Sequence, residues 1–143
     1  CVVFKADVVA QDKTESRGVR ECLNYGHTLA HAIEKLSGYG TYSHGHAVAE
    51  GMRFAARMGM RLADMSAELA QAQGQLLDDL DLPELDWEAS PAQVLDVMKR
   101  DKKARRGQVR FVCLQDVGKW QLQDVADGVI LEELEAYFAQ RRR

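Results

Sequence analysis

The sequence predicts an all-α domain with a minor β-hairpin, on three observations. Only two prolines, Pro83 and Pro91, occur in 143 residues, and both lie at one short acidic stretch. The segments on either side of that stretch are long enough for helices and carry capping residues at their ends. A single segment, residues 109–122, combines β-branched and aromatic residues with a glycine turn.

The helices before the prolines can be placed from their start and stop signals. We expect the first over residues 19–36, because Gly38 and Gly40 follow it and glycine readily takes the positive φ of a helix end. The second is expected over residues 47–65. Ser66 is suited to cap a third helix, which continues to about Leu80.

The elements after the prolines follow from the same rules. Pro91 is tolerated at a first helical position and opens a fourth helix through about Lys99. Residues 109–122 predict a hairpin that turns at Gly118, and residues 131–139 form a fifth helix.

The helix at 47–65 contains two glycines, Gly51 and Gly59, although each costs roughly 1 kcal/mol relative to alanine in a helix. Such tolerance indicates that another backbone packs closely there. The interleaved Met52, Met58 and Met60 are interpreted as core filling, because methionine adapts to irregular gaps.

Composition excludes several classes. The chain is 46% hydrophobic and 29% charged with a formal net charge of −3, which argues against nucleic acid as the main partner. No apolar run approaches the ~20 residues of a membrane helix, so no membrane partner is expected. Cys1, Cys22 and Cys113 form no CxxC pattern and are interpreted as reduced thiols of a cytoplasmic protein.

A polar stripe marks the first helix. At 100° per residue Arg20, Asn24, His27 and His31 share one face roughly 60° wide. A solvated face is one interpretation, but such faces usually carry Lys, Glu and Gln, which form helices better than His and Asn. The stripe therefore favours a functional site.

Residue types and spacing alone allow two kinds of chemistry for this stripe, metal binding and proton transfer. His27 and His31, at i and i+4, can bind one divalent metal, and the segment 44–46 could supply a third ligand. Histidine also titrates near neutrality, which suits proton transfer. The segment lacks the glutamate of HExxH, so metalloprotease chemistry is not indicated.

A basic cluster occupies residues 99–106. It is either a charged helix end or a set of contacts to phosphate or carboxylate. The chain contains neither GxGxxG nor a P-loop, so any nucleotide is expected to be held elsewhere.

Several motifs, in order, resemble the C-terminal domain of the 3-dehydroquinate synthase family. The most specific are Leu23-Asn24-Tyr25-Gly26-His27-Thr28 and the HG pair that begins at His44. The whole set comprises residues 5–9, Asp12, Glu15, Arg20, residues 23–28, 31–34, 44–49, 51–52 and 101–103, and Gly107. The resemblance implies a metal site of zinc or cobalt with His27 and His44 as ligands. The resemblance thus makes His44 the second metal ligand beside His27, whereas helical spacing favours His31 as that second ligand.

The resemblance also implies roles for the other polar residues. His31 is expected to relay protons and contact phosphate, with Asn24 at the same end of the substrate. Glu15 is expected to support the polar site. The groups expected to bind the anionic parts of the substrate are Lys5, Arg20 and one of Lys102 and Lys103.

Members of the family convert 3-deoxy-D-arabino-heptulosonate 7-phosphate to 3-dehydroquinate with release of phosphate, in the shikimate pathway of aromatic amino acid biosynthesis. They use NAD held mainly by an N-terminal α/β domain, and a homodimer is expected. Because the chain starts at Cys1 inside an apolar stretch, we expect residues 1–143 to be one helical domain, a fragment lacking the NAD-binding domain and inactive alone. The alternatives are another sugar-phosphate cyclase, such as 2-deoxy-scyllo-inosose synthase, and a non-catalytic helical interaction module.

Three departures from the family pattern are visible. Glu15 and Arg20 are five residues apart where the family has four, which leaves Arg17 as an alternative anion contact. His46 replaces a glutamate, and Glu50 stands where an apolar residue is common.

Overall fold

Helices dominate the computed structural model, which describes residues 2–14, 18–101 and 107–141. Within those ranges a single antiparallel hairpin accompanies them, so the expected class is confirmed. The elements are α1 (Val2–Gln11), a 3₁₀ helix (Val19–Asn24), α2 (His27–Ser37), α3 (His44–Leu62), α4 (Ala67–Asp79), α5 (Pro91–Asp101), β1 (Val109–Asp116), β2 (Lys119–Val125) and α6 (Asp127–Arg141).

Helix α3 is the centre of the packing, and its glycines have the predicted role. A Cβ on Gly51 would lie 1.9 Å from the carbonyl oxygen of Gly26, and one on Gly59 would lie 2.9 Å from that of Leu114 in β1. The backbones before α2 and along β1 therefore touch α3 directly. Met58 is fully buried as expected, whereas Met60 is 41% exposed and does not fill the core.

The expected continuous helix over residues 19–36 is wrong. A 3₁₀ helix ends at Asn24, and α2 begins only at His27, after Gly26 with φ 82°. The cause is tertiary: a Cβ on Gly26 would lie 2.7 Å from the backbone of Val48 and Met52, so the chain turns where it presses on α3. Arg20 and Asn24 thus reach the site from a separate element.

Other boundaries differ at the ends. Ser66 caps α4 and Pro91 opens α5, as predicted. Helix α3 starts three residues early because Ser43 accepts a hydrogen bond from the His46 backbone N–H. The hairpin extends to Val125, α6 begins at Asp127, and α1 was missed.

The core lies between α2, α3, α5, α6 and the inner face of the hairpin. Large side chains with no appreciable exposure fill it: Leu29, Ile33, Phe54, Met98, Phe111, Ile130 and Leu134. None of the helices in the described ranges has the length and apolar character that a membrane span requires.

Glu50 is a buried carboxylate in this core, 1% exposed. Its Oε2 accepts a hydrogen bond from the Leu85 N–H at 2.9 Å, and its Oε1 accepts from the Tyr137 hydroxyl and the Arg141 guanidinium. The unexpected acidic residue therefore ties α3 to α6 and to the segment before α5.

Candidate metal and substrate site

Three histidines meet where α2 and α3 begin. His27 is the first residue of α2, His31 lies one turn further, and His44 is the first residue of α3. The ring centroids of His27 and His44 are 5.4 Å apart, and those of His27 and His31 are 5.9 Å apart. The turn at Gly26 and its contact with α3 set these distances.

The same ring nitrogen of each histidine faces an acceptor. The pairs are His27 Nδ1 with the Tyr25 carbonyl at 3.3 Å, His31 Nδ1 with Asp101 at 2.8 Å, and His44 Nδ1 with Glu34 at 2.9 Å. Carbonyls and carboxylates only accept, so in each of these contacts Nδ1 is the donor and Nε2 is the ring nitrogen left to bind a ligand. Imidazole nitrogen is a ligand type that zinc and cobalt accept, so the ring pair His27 and His44 offers two donors of the right chemistry, although the three described rings do not by themselves form a complete metal site.

The surroundings of His27 favour the neutral form of its ring. Burial lowers the pKa of the His27 imidazole, and the neighbouring His31 and His44 lower it further, against the opposing effect of the Tyr25 carbonyl. A lowered pKa keeps the ring neutral, which is the form that binds metal.

A cavity of about 320 Å³ adjoins His27. Of the residues expected to bind substrate, Lys5 on α1 and Arg20 and Asn24 on the 3₁₀ helix line it together with His27. Four predicted site residues from three elements therefore face one space, with two cationic side chains and an amide that can hold anionic and hydroxyl groups.

His31 lines a smaller cavity of about 220 Å³ together with Glu34, Lys35, Tyr39 and Asp101. Asp101 bridges the two basic groups, because its second oxygen accepts from Lys35 Nζ at 2.7 Å. The hydrogen bond from Lys35 lowers the pKa of Asp101, and His31 contributes in the same direction. His31 is thus held by a carboxylate that stays ionised.

Three predicted site residues, Glu15, Lys102 and Lys103, lie outside the described residues, as does the alternative Arg17. Among the described residues, no group of three or more His, Cys, Asp and Glu side chains is arranged to hold a metal ion. His46, the additional histidine, contacts the Ser43 hydroxyl through Nδ1 at 2.6 Å.

The sequence analysis gave no role to three carboxylates in or beside the site, although all three belong to the motifs that carry the resemblance. Glu34 follows His31 by three residues on the same helical face, so the spacing that singled out the histidines could have found it. Asp12, only 2% exposed, accepts from the Val19 N–H and lines the larger cavity. Asp101 reaches His31 only because α5 packs on α2, which no local pattern indicates.

Solved structures with a similar backbone define the class of fold. One is a 2-deoxy-scyllo-inosose synthase complexed with carbaglucose-6-phosphate, NAD+ and Co2+, which is 27% identical with a TM-score of 0.77, over 93% of this chain and 38% of that chain. A 2-epi-5-epi-valiolone synthase from Streptomyces hygroscopicus with NAD+ and Zn2+ bound has a TM-score of 0.73 at 19% identity, over 94% and 37% of the two chains, and shows the fold alone. The fold is that of sugar cyclases.

Sequence comparison gives the particular family. Residues 1–104 match the family described as 3-dehydroquinate synthase C-terminal, and the chain belongs to it. The 3-dehydroquinate synthase of Acaryochloris marina is 45% identical over 128 residues, which are 89% of this chain and 34% of the relative. That of Desulforamulus reducens is 43% identical, over 94% and 38%. The chain spans just over a third of the length of these curated relatives.

Proposed function

We propose that this chain is the metal- and substrate-binding domain of a 3-dehydroquinate synthase, which cyclises 3-deoxy-D-arabino-heptulosonate 7-phosphate to 3-dehydroquinate and releases phosphate. The observation that carries the proposal is the cavity that joins Lys5, Arg20 and Asn24 to the ring of His27. Membership of the family and the 45% identity to a named synthase support it.

In this proposal His27 and His44 hold a divalent zinc or cobalt ion. Nδ1 of each ring lies against an oxygen acceptor, which leaves Nε2 for the metal, and the ring centroids are 5.4 Å apart. When bound, such a metal orients substrate hydroxyls and polarises a carbonyl as a Lewis acid. NAD is the second cofactor, and we propose that an N-terminal domain of the complete polypeptide binds it and supplies a further metal ligand.

The chain's own residues then bind the anion and move protons. Lys5 and Arg20 offer positive charge to a carboxylate or phosphate in the larger cavity, while Asn24 donates from its amide. His31 accepts or donates a proton at Nε2, because Asp101 occupies its Nδ1. The lysine pair at residues 102 and 103 is proposed to contact the same anionic groups.

Phosphate release tests the proposal. The complete polypeptide, with NAD and Zn2+ or Co2+, should release phosphate from 3-deoxy-D-arabino-heptulosonate 7-phosphate, and residues 1–143 alone should not. An Arg20→Ala variant should raise KM, and Lys13→Ala, on the turn after α1 and outside the cavity lining, is the matched charge control. Turnover by residues 1–143 alone would refute the division of the active site between two domains.

The likeness to 2-deoxy-scyllo-inosose synthase favours a second candidate of the same chemistry. That enzyme's structure carries a carba analogue of glucose 6-phosphate. Phosphate release from glucose 6-phosphate but not from the heptulosonate phosphate would select this alternative. The higher identity to 3-dehydroquinate synthases favours the heptulosonate.

A further inference from the structure

Glu34 makes a contact that the functions assigned so far leave without a role. It sits on α2, three residues after His31, and its side chain is only 19% exposed. From there it crosses to α3, where its Oε1 lies 2.9 Å from Nδ1 of His44. The contact joins a well-packed helix to the most exposed of the three clustered histidines, since the His44 side chain is 60% exposed.

His44 is the first residue of α3 and is exposed, so packing alone does not hold its ring in the orientation that a metal ligand needs. Its ring can rotate, and in water a neutral histidine exchanges the proton between its two nitrogens. Binding metal through Nε2 then requires the ordering of one rotamer and one tautomer. A carboxylate held against Nδ1 removes both costs before the metal arrives, because it fixes the rotamer and keeps the ring proton on Nδ1.

We propose that Glu34 is a positioning residue that holds His44 in the Nδ1–H tautomer with Nε2 aimed for metal. The inference rests on the proposed function only in taking His44 as a ligand. Asp101 has the equivalent contact with His31, at 2.8 Å, and it is the matched control: it is also a carboxylate on an imidazole Nδ1, but on the histidine assigned to proton transfer. The two carboxylates therefore act on different histidines.

The first test needs no metal. Long-range ¹H–¹⁵N spectra of the imidazole rings, recorded at about pH 8 on the complete polypeptide, report the tautomer of each histidine directly. Wild type should show His44 protonated at Nδ1. Glu34→Ala should convert His44 to a mixture with protonation at Nε2, and Asp101→Asn should leave His44 unchanged. An unchanged His44 tautomer in Glu34→Ala overturns the proposal.

The second test measures affinity by competition of Zn2+ with a chromophoric chelator, and coordination by Co2+ absorption. Groups that hydrogen-bond the other ring nitrogen of a histidine ligand typically contribute 10–100-fold to metal affinity. Glu34→Ala should weaken Zn2+ binding by that factor and alter the Co2+ spectrum. Glu34→Gln, which keeps an oxygen acceptor, should recover part of the loss, and Asp101→Asn should stay within about twofold of wild type.

The outcomes separate this inference from the proposed function. If wild type binds Zn2+ and the affinity of Glu34→Ala lies within threefold of the wild-type value, the role of Glu34 is overturned and the metal centre stands. Failure of wild type to bind Zn2+ or Co2+ overturns the metal centre, while the tautomer spectra still decide what Glu34 does to His44. A loss of affinity in Asp101→Asn instead of Glu34→Ala would make His31 the ligand and overturn the assignment.

Discussion

Replacing Gly51 by alanine tests the contact that sets the histidine spacing. Alanine is favoured over glycine inside a helix by about 1 kcal/mol. Against that gain, the new Cβ would lie 1.9 Å from the Gly26 carbonyl oxygen and 2.8 Å from its carbon, so α3 and the start of α2 must separate by more than about 1 Å. Backbone atoms cannot rotate away, and overpacking of this kind costs roughly 1–3 kcal/mol or more.

Because a 1.9 Å contact with backbone places the cost at the upper end of that range, we expect Gly51→Ala to be destabilised by a net of about 2 kcal/mol, on the order of 5 °C in Tm, measured by urea and thermal unfolding followed by circular dichroism. Because Gly26 immediately precedes His27, the same change should also weaken metal binding.

Gly74→Ala on α4 is the matched control, because nothing lies within 4 Å of its Cβ position. It should gain up to about 1 kcal/mol. If Gly51→Ala is as stable as Gly74→Ala and binds Zn2+ normally, the close backbone contact does not set the geometry of the site.

The other predictions concern charged groups. Glu50→Ala leaves the Leu85 N–H, Tyr137 and Arg141 without their buried acceptor and should cost about 3–5 kcal/mol in urea unfolding, whereas a loss under 1 kcal/mol would contradict its structural role. Asp101 has a lowered pKa in the folded state, so its contribution to stability is present above its unfolded pKa near 4 and is lost as the pH falls through the lowered folded value. The stability difference between wild type and Asp101→Asn should therefore shrink between about pH 5 and pH 2, and a constant difference would contradict the pairing with Lys35 and His31.

The sequence predicted the helical class and most boundaries, because caps such as Ser66 and Pro91 act locally. It also predicted the close approach at Gly51 and Gly59, because glycine inside a helix is costly without a packing reason. The break at Gly26 was missed because contact with α3, not local preference, causes it.

The candidate site was predictable in part, because residue type and spacing are local signals that the sequence shows directly. The histidines on α2 and at the start of α3 stood out by residue type and spacing. One cavity brings Lys5, Arg20 and Asn24 to His27 although the expected helix is broken. Asp101 was unpredictable as a partner of His31 because their contact spans 70 residues and depends on how α5 packs on α2. Glu34, by contrast, follows His31 on one helical face and could have been found.

The central claim is that a divalent metal is held by His27 and His44 beside a cavity for an anionic sugar. The most direct measurement is the zinc content and Zn2+ affinity of the complete polypeptide, compared with those of its His44→Ala and His31→Ala variants. The account predicts loss of metal in His44→Ala and near-normal binding in His31→Ala. Retention of metal in His44→Ala together with loss in His31→Ala would contradict it, because the ligand pair would then be the one on α2 alone.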